Sequence, residues 1–191
     1  NTKLNKETKF LVFNKSLPNE KKLYVSLAFK LIKDKKSKEE KIDINNQAKV
    51  SIFFPAEKET SNLKFHIHAP FSSTVARDSI KDRKENEELI ELLGDLLCEA
   101  AKWLKGNKLL NDNFIKCLPI DADNLSDFYK PIQLRIIDFF NSNDLLLCDD
   151  DKYHPAKDCW QSTDRLKSVI STSDLKTLLT GKIKKSCYWT A

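Results

Sequence analysis

Apolar and polar residues alternate along the first half of the chain, and the spacing becomes helical near its middle. Every second residue is apolar over 23–31, 50–54 and 63–69, which is the period of a half-buried β-strand. A continuous apolar run at 10–13 is typical of a strand covered on both faces. These segments predict a four-stranded, mostly antiparallel sheet, in which the polar stretch 33–46 is a long hairpin loop.

The helical spacing begins near Asn86, where apolar residues start to recur every three or four positions. The repeat continues to Lys105, and Gly106 supplies a stop. We expect this helix to lie across the sheet, with Cys98 and Trp103 as packing residues rather than ligands. The pattern predicts an α/β (α+β) domain, a four-stranded sheet with a packed helix, over residues 1–106.

The second half of the chain predicts a smaller α+β subdomain, residues 107–191. Its first part, 107–123, is interpreted as a connector, and a helix is expected from about Lys130. Short strands follow at 145–147 and near Tyr153. Two short helices are predicted at about 164–170 and 173–180, the second capped by Ser173 and stopped by Gly181.

Composition narrows the class of protein. The 191 residues are 40% hydrophobic and 32% charged, which is ordinary for a globular chain that buries a core. Five cysteines, an odd number without a CxxC pair, argue against a disulfide framework and a zinc site and favour a reducing cytoplasm. No apolar run approaches the roughly 20 residues of a membrane span, and no signal peptide opens the chain. Because the sequence starts at Asn1 and has no methionine, we expect it to be a fragment.

Three groups of residues resemble metal or catalytic sites, but in each group the sequence lacks a residue or feature that such a site requires. His66 and His68 would point to the same face of a strand, but a third metal ligand is missing nearby. The aspartates at 149–151 lack the alternating ligands, glycine and closing glutamate of an EF-hand loop, which favours a charged turn. His154 with Cys159 suggests a thiol nucleophile, but nothing in the sequence activates the cysteine. We therefore predict no metal site and no thiol catalysis.

A basic run lies in the polar stretch between the second and third predicted strands. We interpret it as the solvated tip of a hairpin. The alternative is a non-catalytic module that binds protein or nucleic acid through the loop 33–41, with nucleic acid disfavoured because no aromatic residues are interleaved. Its members are Lys33, Lys35, Lys36, Lys38 and Lys41.

The most informative stretch follows the strand at 63–69. After Pro70 a central strand cannot continue, and Ser72, Ser73 and Thr74 offer hydroxyls that compete for backbone hydrogen bonds, so an ordered loop is predicted. Arg77 lies at its far end. Composition alone favours a surface ion pair for this arginine.

The surrounding sequence resembles a known family. The run HAPFSSTVARDSI, preceded by FFPAEKETSNLKF and followed by a long helix, resembles the strand, catalytic loop and helix of the middle domain of GHKL-type ATPases. It is more closely similar to the segment that follows the ATP-binding domain in bacterial sacsin-like proteins, relatives of the ninety-kilodalton heat-shock chaperone. The resemblance extends to FLVFNKSL and LYVSLAFKLIKD upstream, and to YKPIQLRIIDFFNSNDLLLCDDDKYHPAKD downstream. It implies a ribosomal-protein S5 domain 2-like fold for residues 1–106.

The resemblance also implies a role for the loop arginine. In the chaperone family this arginine reaches into the neighbouring nucleotide domain and contacts the γ-phosphate of ATP, and that role falls on Arg77. A delocalised cation with several fixed donors suits a phosphoryl group that gains charge in the transition state. The supporting loop residues are Ser73, Thr74, Asp78 and Lys81.

Three positions around the arginine differ from the family pattern. The family has serine before the arginine, glutamate after it and glutamine four positions on, where this chain has Ala76, Asp78 and Lys81. Asp78 preserves an acidic neighbour that is expected to hold the arginine in place. Lys81 is expected to add a second cation near phosphate.

The nucleotide-binding half of such a site has no counterpart in the sequence. The family's helix with the catalytic glutamate and metal-binding asparagine is missing, as is its glycine-rich lid, and the chain has only three glycines. We expect ATP and Mg to be bound only by a preceding ATP-binding domain of the same polypeptide, so the fragment should not hydrolyse ATP alone. That domain is the expected partner. A homodimer and a protein client are compatible with the sequence, whereas nucleic acid and membrane are not expected partners.

Overall fold

The computed structural model describes residues 8–33, 40–76, 78–81, 83–180 and 188–190. The chain divides into two compact units, Asn1–Ile136 and Ile137–Ala191, and the division falls inside a helix. The boundary predicted after Gly106 lies earlier in the chain. The segment after it groups with the sheet because Phe114 packs on Phe29, with a ring-centroid distance of 5.3 Å.

The first unit is built on a mixed sheet of five strands. The longest strand, β2, pairs antiparallel with β1, β3 and β5, while β4 runs parallel to β5. The order is β1-β2-β5-β4, with β3 on the far end of β2. The chain is therefore α+β, as predicted, with one strand more than expected. The strands are β1 (Lys9–Ser16), β2 (Tyr24–Lys33), β3 (Glu40–Ile42), β4 (Val50–Ser51) and β5 (His66–His68).

The alternating pattern predicted β2 correctly but misjudged its neighbours. Val25, Leu27 and Phe29 are fully buried on one face of β2. The polar stretch 33–46 contains the strand β3, whose Ile42 is buried, so the prediction of an unpacked loop is wrong there. The prediction that the run 10–13 is covered on both faces is also wrong, because β1 is an edge strand and every second side chain is exposed.

The strands β4 and β5 are shorter than their apolar patterns predict. Phe53, two residues after the end of β4, has φ 78°, a left-handed conformation that ends the extended backbone. The amide of Ile52 then donates to the carbonyl oxygen of Phe54 at 2.9 Å, which closes a turn. A turn therefore replaces the outer half of the predicted strand.

The predicted long helix is confirmed as α1 (Lys84–Gly106), which packs on β1 and β2. Cys98 is buried, and Trp103 stands edge-on to Phe13 while about half of it stays exposed. Gly94 permits a close approach of the next long helix, because an added Cβ would meet the Arg135 side chain at 3.3 Å. The buried apolar stripe consists of Leu89, Ile90, Leu93, Leu96, Leu97, Ala100, Ala101 and Leu104.

Two further helices follow α1. The short helix α2 (Asp112–Cys117) lies in the stretch that we interpreted as a connector, and the Asn111 side chain caps it by accepting from the amides of Asn113 and Phe114. The helix α3 (Lys130–Ser142) begins where predicted. A 3₁₀ turn (Asp121–Asp123) lies between them.

The second unit consists of short elements. The predicted strands near 145–147 and Tyr153 form an antiparallel pair, and a parallel pair was missed by sequence analysis. Leu175 and Trp189 form a small buried cluster in it, and the indole of Trp189 donates to the carbonyl oxygen of Ile170 at 2.8 Å. The elements are β6 (Leu146–Leu147), β7 (Tyr153–His154), a 3₁₀ turn (Ala156–Asp158), β8 (Cys159–Trp160), α4 (Asp164–Lys167), α5 (Thr172–Thr180) and β9 (Tyr188–Trp189).

The cap of α5 is Ser171 rather than the predicted Ser173. The Ser171 hydroxyl accepts from the amide of Asp174 at 3.2 Å, and the Asp174 carboxylate accepts from the amide of Ser171 at 2.9 Å. This reciprocal pair satisfies two amides at the start of the helix. The predicted stop at Gly181 lies outside the described residues.

The aromatic contacts of Phe29 predict a large effect on stability. Phe29 touches the rings of Phe13, Phe65 and Phe114, so Phe29→Ala should lower the free energy of unfolding by about 3–5 kcal/mol. Urea titration of the chain measures this loss. Ile32→Ala, on the same strand but partly exposed, should cost less than about 1.5 kcal/mol. Similar losses in both variants would contradict this description of the core.

Candidate functional site

The loop that follows β5, residues 70–81, is a narrow hairpin in its described residues 70–76 and 78–81. Two backbone hydrogen bonds join its legs. The amide of Thr74 donates to the carbonyl oxygen of Ser79 at 3.0 Å, and the amide of Lys81 donates to the carbonyl oxygen of Ser72 at 2.9 Å. Between these bonds Ser73 and Ile80 form an antiparallel bridge. The predicted ordered loop is thus confirmed in its described residues. Val75, close to the end of the hairpin, is 97% exposed.

Asn86, on the first turn of α1, holds the base of the hairpin. Its side chain is fully buried, and its Oδ1 accepts from the amide of Ser72 at 2.8 Å. Its Nδ2 donates to the carbonyl oxygens of Ser72 at 3.0 Å and Lys81 at 2.6 Å. A buried amide has to find such partners, because an unmade hydrogen bond there costs about 1–3 kcal/mol. One side chain therefore fastens both legs of the hairpin to α1.

A second support reaches the hairpin from Glu59. Its Oε2 accepts from the amide of Ile80 at 3.1 Å, and its Oε1 accepts from the hydroxyl of Tyr129 at 2.9 Å. Burial, together with the neighbouring carboxylate of Glu59, raises the pKa of Tyr129 far above its ordinary value. The tyrosine therefore remains a hydrogen-bond donor and keeps Glu59 in position.

The carboxylate of Asp78 joins the end of the hairpin to the preceding segment. Its Oδ2 pairs with the ammonium of Lys58 at 2.6 Å, and its Oδ1 accepts from the hydroxyls of Thr74 at 3.0 Å and Ser79 at 3.2 Å. These hydrogen bonds, that from Lys58 foremost, hold the pKa of Asp78 below its ordinary value. The amide of Lys58 also donates to the Asp78 carbonyl oxygen at 3.0 Å. Asp78 therefore serves as a brace of the hairpin.

The structure brings four of the five predicted site residues into this hairpin. Thr74 and Asp78 share a hydrogen bond, Ser73 takes part through its backbone, and Lys81 lies at the base. Arg77 lies outside the described residues. The supporting residues Asn86, Glu59, Tyr129 and Lys58 were missed by sequence analysis. Asn86, Glu59 and Lys58 contact the hairpin directly, whereas Tyr129 acts on it through Glu59.

A groove of about 540 Å³ lies beside the base of the hairpin, within the first unit. Among the described residues of its lining, four carry a carboxylate and one, Lys81, carries an ammonium, although Asp127 is already paired with Lys130 at 2.7 Å. Such a wall favours a cationic group and disfavours a phosphate. The charge of the lining therefore disfavours binding of a triphosphate in the groove. Its lining residues are Glu59, Ile80, Lys81, Glu87, Ile90, Glu91, Asp127, Phe128 and Pro131.

The two histidines of β5 lie on the face of the sheet opposite to α1. The ring of His66 meets Phe10 edge-on at 5.3 Å, and that of His68 lies 5.2 Å from the ring of Tyr24. Nδ1 of His66 accepts from the amide of Lys49 at 3.0 Å. Burial lowers the pKa of both imidazoles below their ordinary value. Both are therefore neutral packing residues at physiological pH.

The remaining sequence candidates lie in the second unit and in the basic loop. Nε2 of His154 contacts the Asp150 carboxylate at 2.8 Å, and its ring stacks on Tyr188. The thiol of Cys159 donates to the carbonyl oxygen of Pro155 at 3.2 Å. Most of the basic loop, residues 34–39, lies outside the described residues.

Comparison with known proteins finds no family model that matches this chain, and no significant match among curated proteins or among solved structures. In the described residues, no group of three or more His, Cys, Asp or Glu side chains is placed to hold a metal ion. No helix in the described part of the chain has both the length and the apolar character needed to cross a bilayer.

We predict that replacing Asn86, whose side-chain amide is buried, disrupts both legs of the hairpin together. Asn86→Ala removes three hydrogen bonds and leaves Ser72 and Lys81 backbone groups unpaired, so unfolding free energy should fall by about 2–4 kcal/mol. Urea titration and amide hydrogen exchange of residues 72–81 measure the loss. Glu88→Ala, exposed on the same helix, is the matched control and should change stability by less than about 0.5 kcal/mol. Unchanged exchange in Asn86→Ala would contradict the role of this side chain.

The histidines of β5 predict a pH dependence of stability. Because the folded pKa of each lies below the ordinary value of 6.5, the unfolded chain binds protons first as the pH falls. Their contribution is complete above pH 6.5 and is lost as the pH falls through the folded pKa. Unfolding free energy should therefore begin to drop as the pH falls below about 6.5, before ordinary carboxylates start to titrate. In the double variant His66→Gln, His68→Gln the slope should be shallower; an equal slope would contradict the assignment.

Proposed function

We propose that this chain is the middle part of a chaperone-like, sacsin-like GHKL ATPase. In this proposal the first unit is a domain of the ribosomal-protein S5 domain 2-like type, and a smaller α+β subdomain follows. The preceding domain of the same polypeptide binds ATP and Mg. The hairpin 70–81 supplies Arg77 to the γ-phosphate. The resemblance of the sequence around the hairpin motivates the proposal, and the bracing of the hairpin supports it.

The observation that carries the proposal is that three side chains, one from α1 and two from the adjacent positions 58 and 59, brace the hairpin. Asn86 holds its base, Glu59 holds one leg, and Lys58 pairs with Asp78 near its end. A group that stabilises a transition state is most effective when its donors are positioned before the reaction, since little reorganisation is then needed.

The chemistry proposed for Arg77 is electrostatic. As the γ-phosphoryl group is transferred to water, negative charge spreads over its oxygens, and a guanidinium can pair with two of them at once. Mg bound with ATP in the preceding domain would neutralise part of the same charge. Asp78 keeps its carboxylate on Lys58, Thr74 and Ser79, which holds the backbone beside the arginine. Lys81 lies at the base of the hairpin on the wall of the acidic groove, so we assign it no contact with phosphate.

The proposed contact also explains how nucleotide state would be relayed. A triphosphate that engages the arginine favours the arrangement in which the hairpin is docked, and loss of the γ-phosphate removes that preference. Because the hairpin is fastened to α1 and to Glu59, the whole first unit would follow it. This role requires no nucleotide binding by the chain alone.

The test is Arg77→Ala in the full-length protein. ATPase turnover should fall by at least about tenfold, and by as much as about 10³–10⁵ if the arginine supplies the usual share of transition-state stabilisation. The thermal unfolding temperature should not change. Arg83→Ala, the next arginine along the chain and exposed at the start of α1, is the matched control and should keep wild-type turnover. Equal turnover in Arg77→Ala and wild type would refute the proposal.

A further inference from the structure

Two thiols of the second unit lie against each other. The Sγ atoms of Cys148 and Cys159 are 3.4 Å apart. Cys148 is fully buried directly after β6, and Cys159 is half-buried at the start of β8. The sequence provided no reason to pair them, because its cysteine count and spacing argue against a disulfide framework. This pair is called the thiol pair below.

The backbone, rather than a chance rotamer, brings the two thiols together. Cys148 forms an antiparallel bridge with Thr190, and Cys159 pairs with Tyr188 in the parallel ladder of β8 and β9. Both cysteines are thus held by the same short stretch, residues 188–190. The turn after Cys148 is closed by its amide, which donates to the carbonyl oxygen of Lys152 at 2.9 Å. The two Cα positions are therefore fixed by hydrogen bonds on both sides.

We propose that Cys148 and Cys159 form a reversible disulfide, so that the thiol pair is an oxidation site of this protein. A disulfide needs an Sγ–Sγ distance of about 2.05 Å, so the sulfurs have to approach by roughly 1.4 Å. Rotation of the half-buried Cys159 side chain supplies this movement, while Cys148 stays in place. The bond would close the loop 148–159 and tie β6 to β8.

The oxidant in this proposal is a low-molecular-weight disulfide such as glutathione disulfide. The thiolate of Cys159, the more exposed of the two, attacks one sulfur of glutathione disulfide, and a glutathione thiolate leaves. The thiolate of Cys148 then attacks Sγ of Cys159, forms the protein disulfide and releases the second glutathione. Two cysteine protons pass to the two glutathione thiolates, so two thiols are oxidised as one disulfide is reduced.

The surroundings predict that this exchange is slow at neutral pH. Burial, the hydrogen bond with Cys148 and nearby charges that include Asp158 and Asp150 raise the pKa of Cys159 to about 12. Burial is also the main cause that raises the pKa of Cys148. Few thiolates are therefore present at neutral pH, and a transient oxidant would leave the pair reduced. Sustained oxidising conditions would be required.

Tryptic mapping of the folded chain, after equilibration with glutathione disulfide at mildly alkaline pH and alkylation, tests the proposal. Lys152 and Lys157 separate the two cysteines, so trypsin places Cys148 in peptide 136–152 and Cys159 in peptide 158–165. We expect these two peptides to be linked in the oxidised sample and released by dithiothreitol. Of the five cysteines, two should be lost from the thiol titration. The thermal unfolding temperature should rise by about 5 °C on oxidation.

Variants distinguish this disulfide from the other pairings. Cys187 lies outside the described residues, and Cys187→Ser should leave the link between peptides 136–152 and 158–165 unchanged. Cys159→Ser should abolish it. A link from peptide 158–165 to peptide 186–191, glutathione retained on Cys159 without a link, or no oxidation of either residue in the wild-type chain would each overturn the proposal. The wild-type map decides the question even if a variant folds poorly.

Discussion

A buried amide on the first turn of α1 determines the path of the chain where it leaves the sheet. The Asn86 side chain accepts a hydrogen bond from one leg of the hairpin and donates hydrogen bonds to both legs. The apolar stripe of α1 packs the helix on β1 and β2. At about 25 cal/mol per Å² of buried apolar surface, burial of this stripe stabilises the fold by far more than any single polar contact does. The position of the hairpin thus depends on hydrophobic packing that occurs elsewhere. The hydrogen bonds of Asn86 then fix the base of the hairpin to the packed helix.

The sequence predicted those elements whose pattern is long enough to be unambiguous. Nine residues of alternation, 23–31, identified β2, and more than five turns of helical spacing identified α1. The elements that the sequence did not predict are short, and they contain too few residues for a helical or strand-like periodicity to be recognised. The six residues of α2 left only the local signal of Asn111 as a cap, and β8 and β9 have two residues each. After β4, a single left-handed residue, Phe53, ended a strand that the apolar pattern would have continued.

The candidate site was predictable as a loop but not as a braced hairpin. Ser73, Thr74 and Asp78 could be selected because hydroxyl and acidic residues cluster after a strand. Their supports could not, since Glu59 and Tyr129 are 70 positions apart and only the fold brings them together. Asp78 was expected to hold Arg77, yet its described contacts are with Lys58, Thr74 and Ser79. A sequence pattern identifies which side chains are able to form hydrogen bonds, whereas the tertiary structure decides with which partners they form them.

Charge and rigidity together restrict what the hairpin can do in the proposed ATPase. Its base borders a groove with four carboxylates, so electrostatic repulsion would keep a triphosphate away from that side. A phosphate contact is therefore restricted to the end of the hairpin, where Val75 is exposed. Because Asn86, Glu59 and Lys58 resist a local rearrangement of the loop, engaging or releasing a phosphate there would displace the hairpin together with α1. A braced hairpin thus favours rigid-body movement of the domain over loop closure as the response to nucleotide.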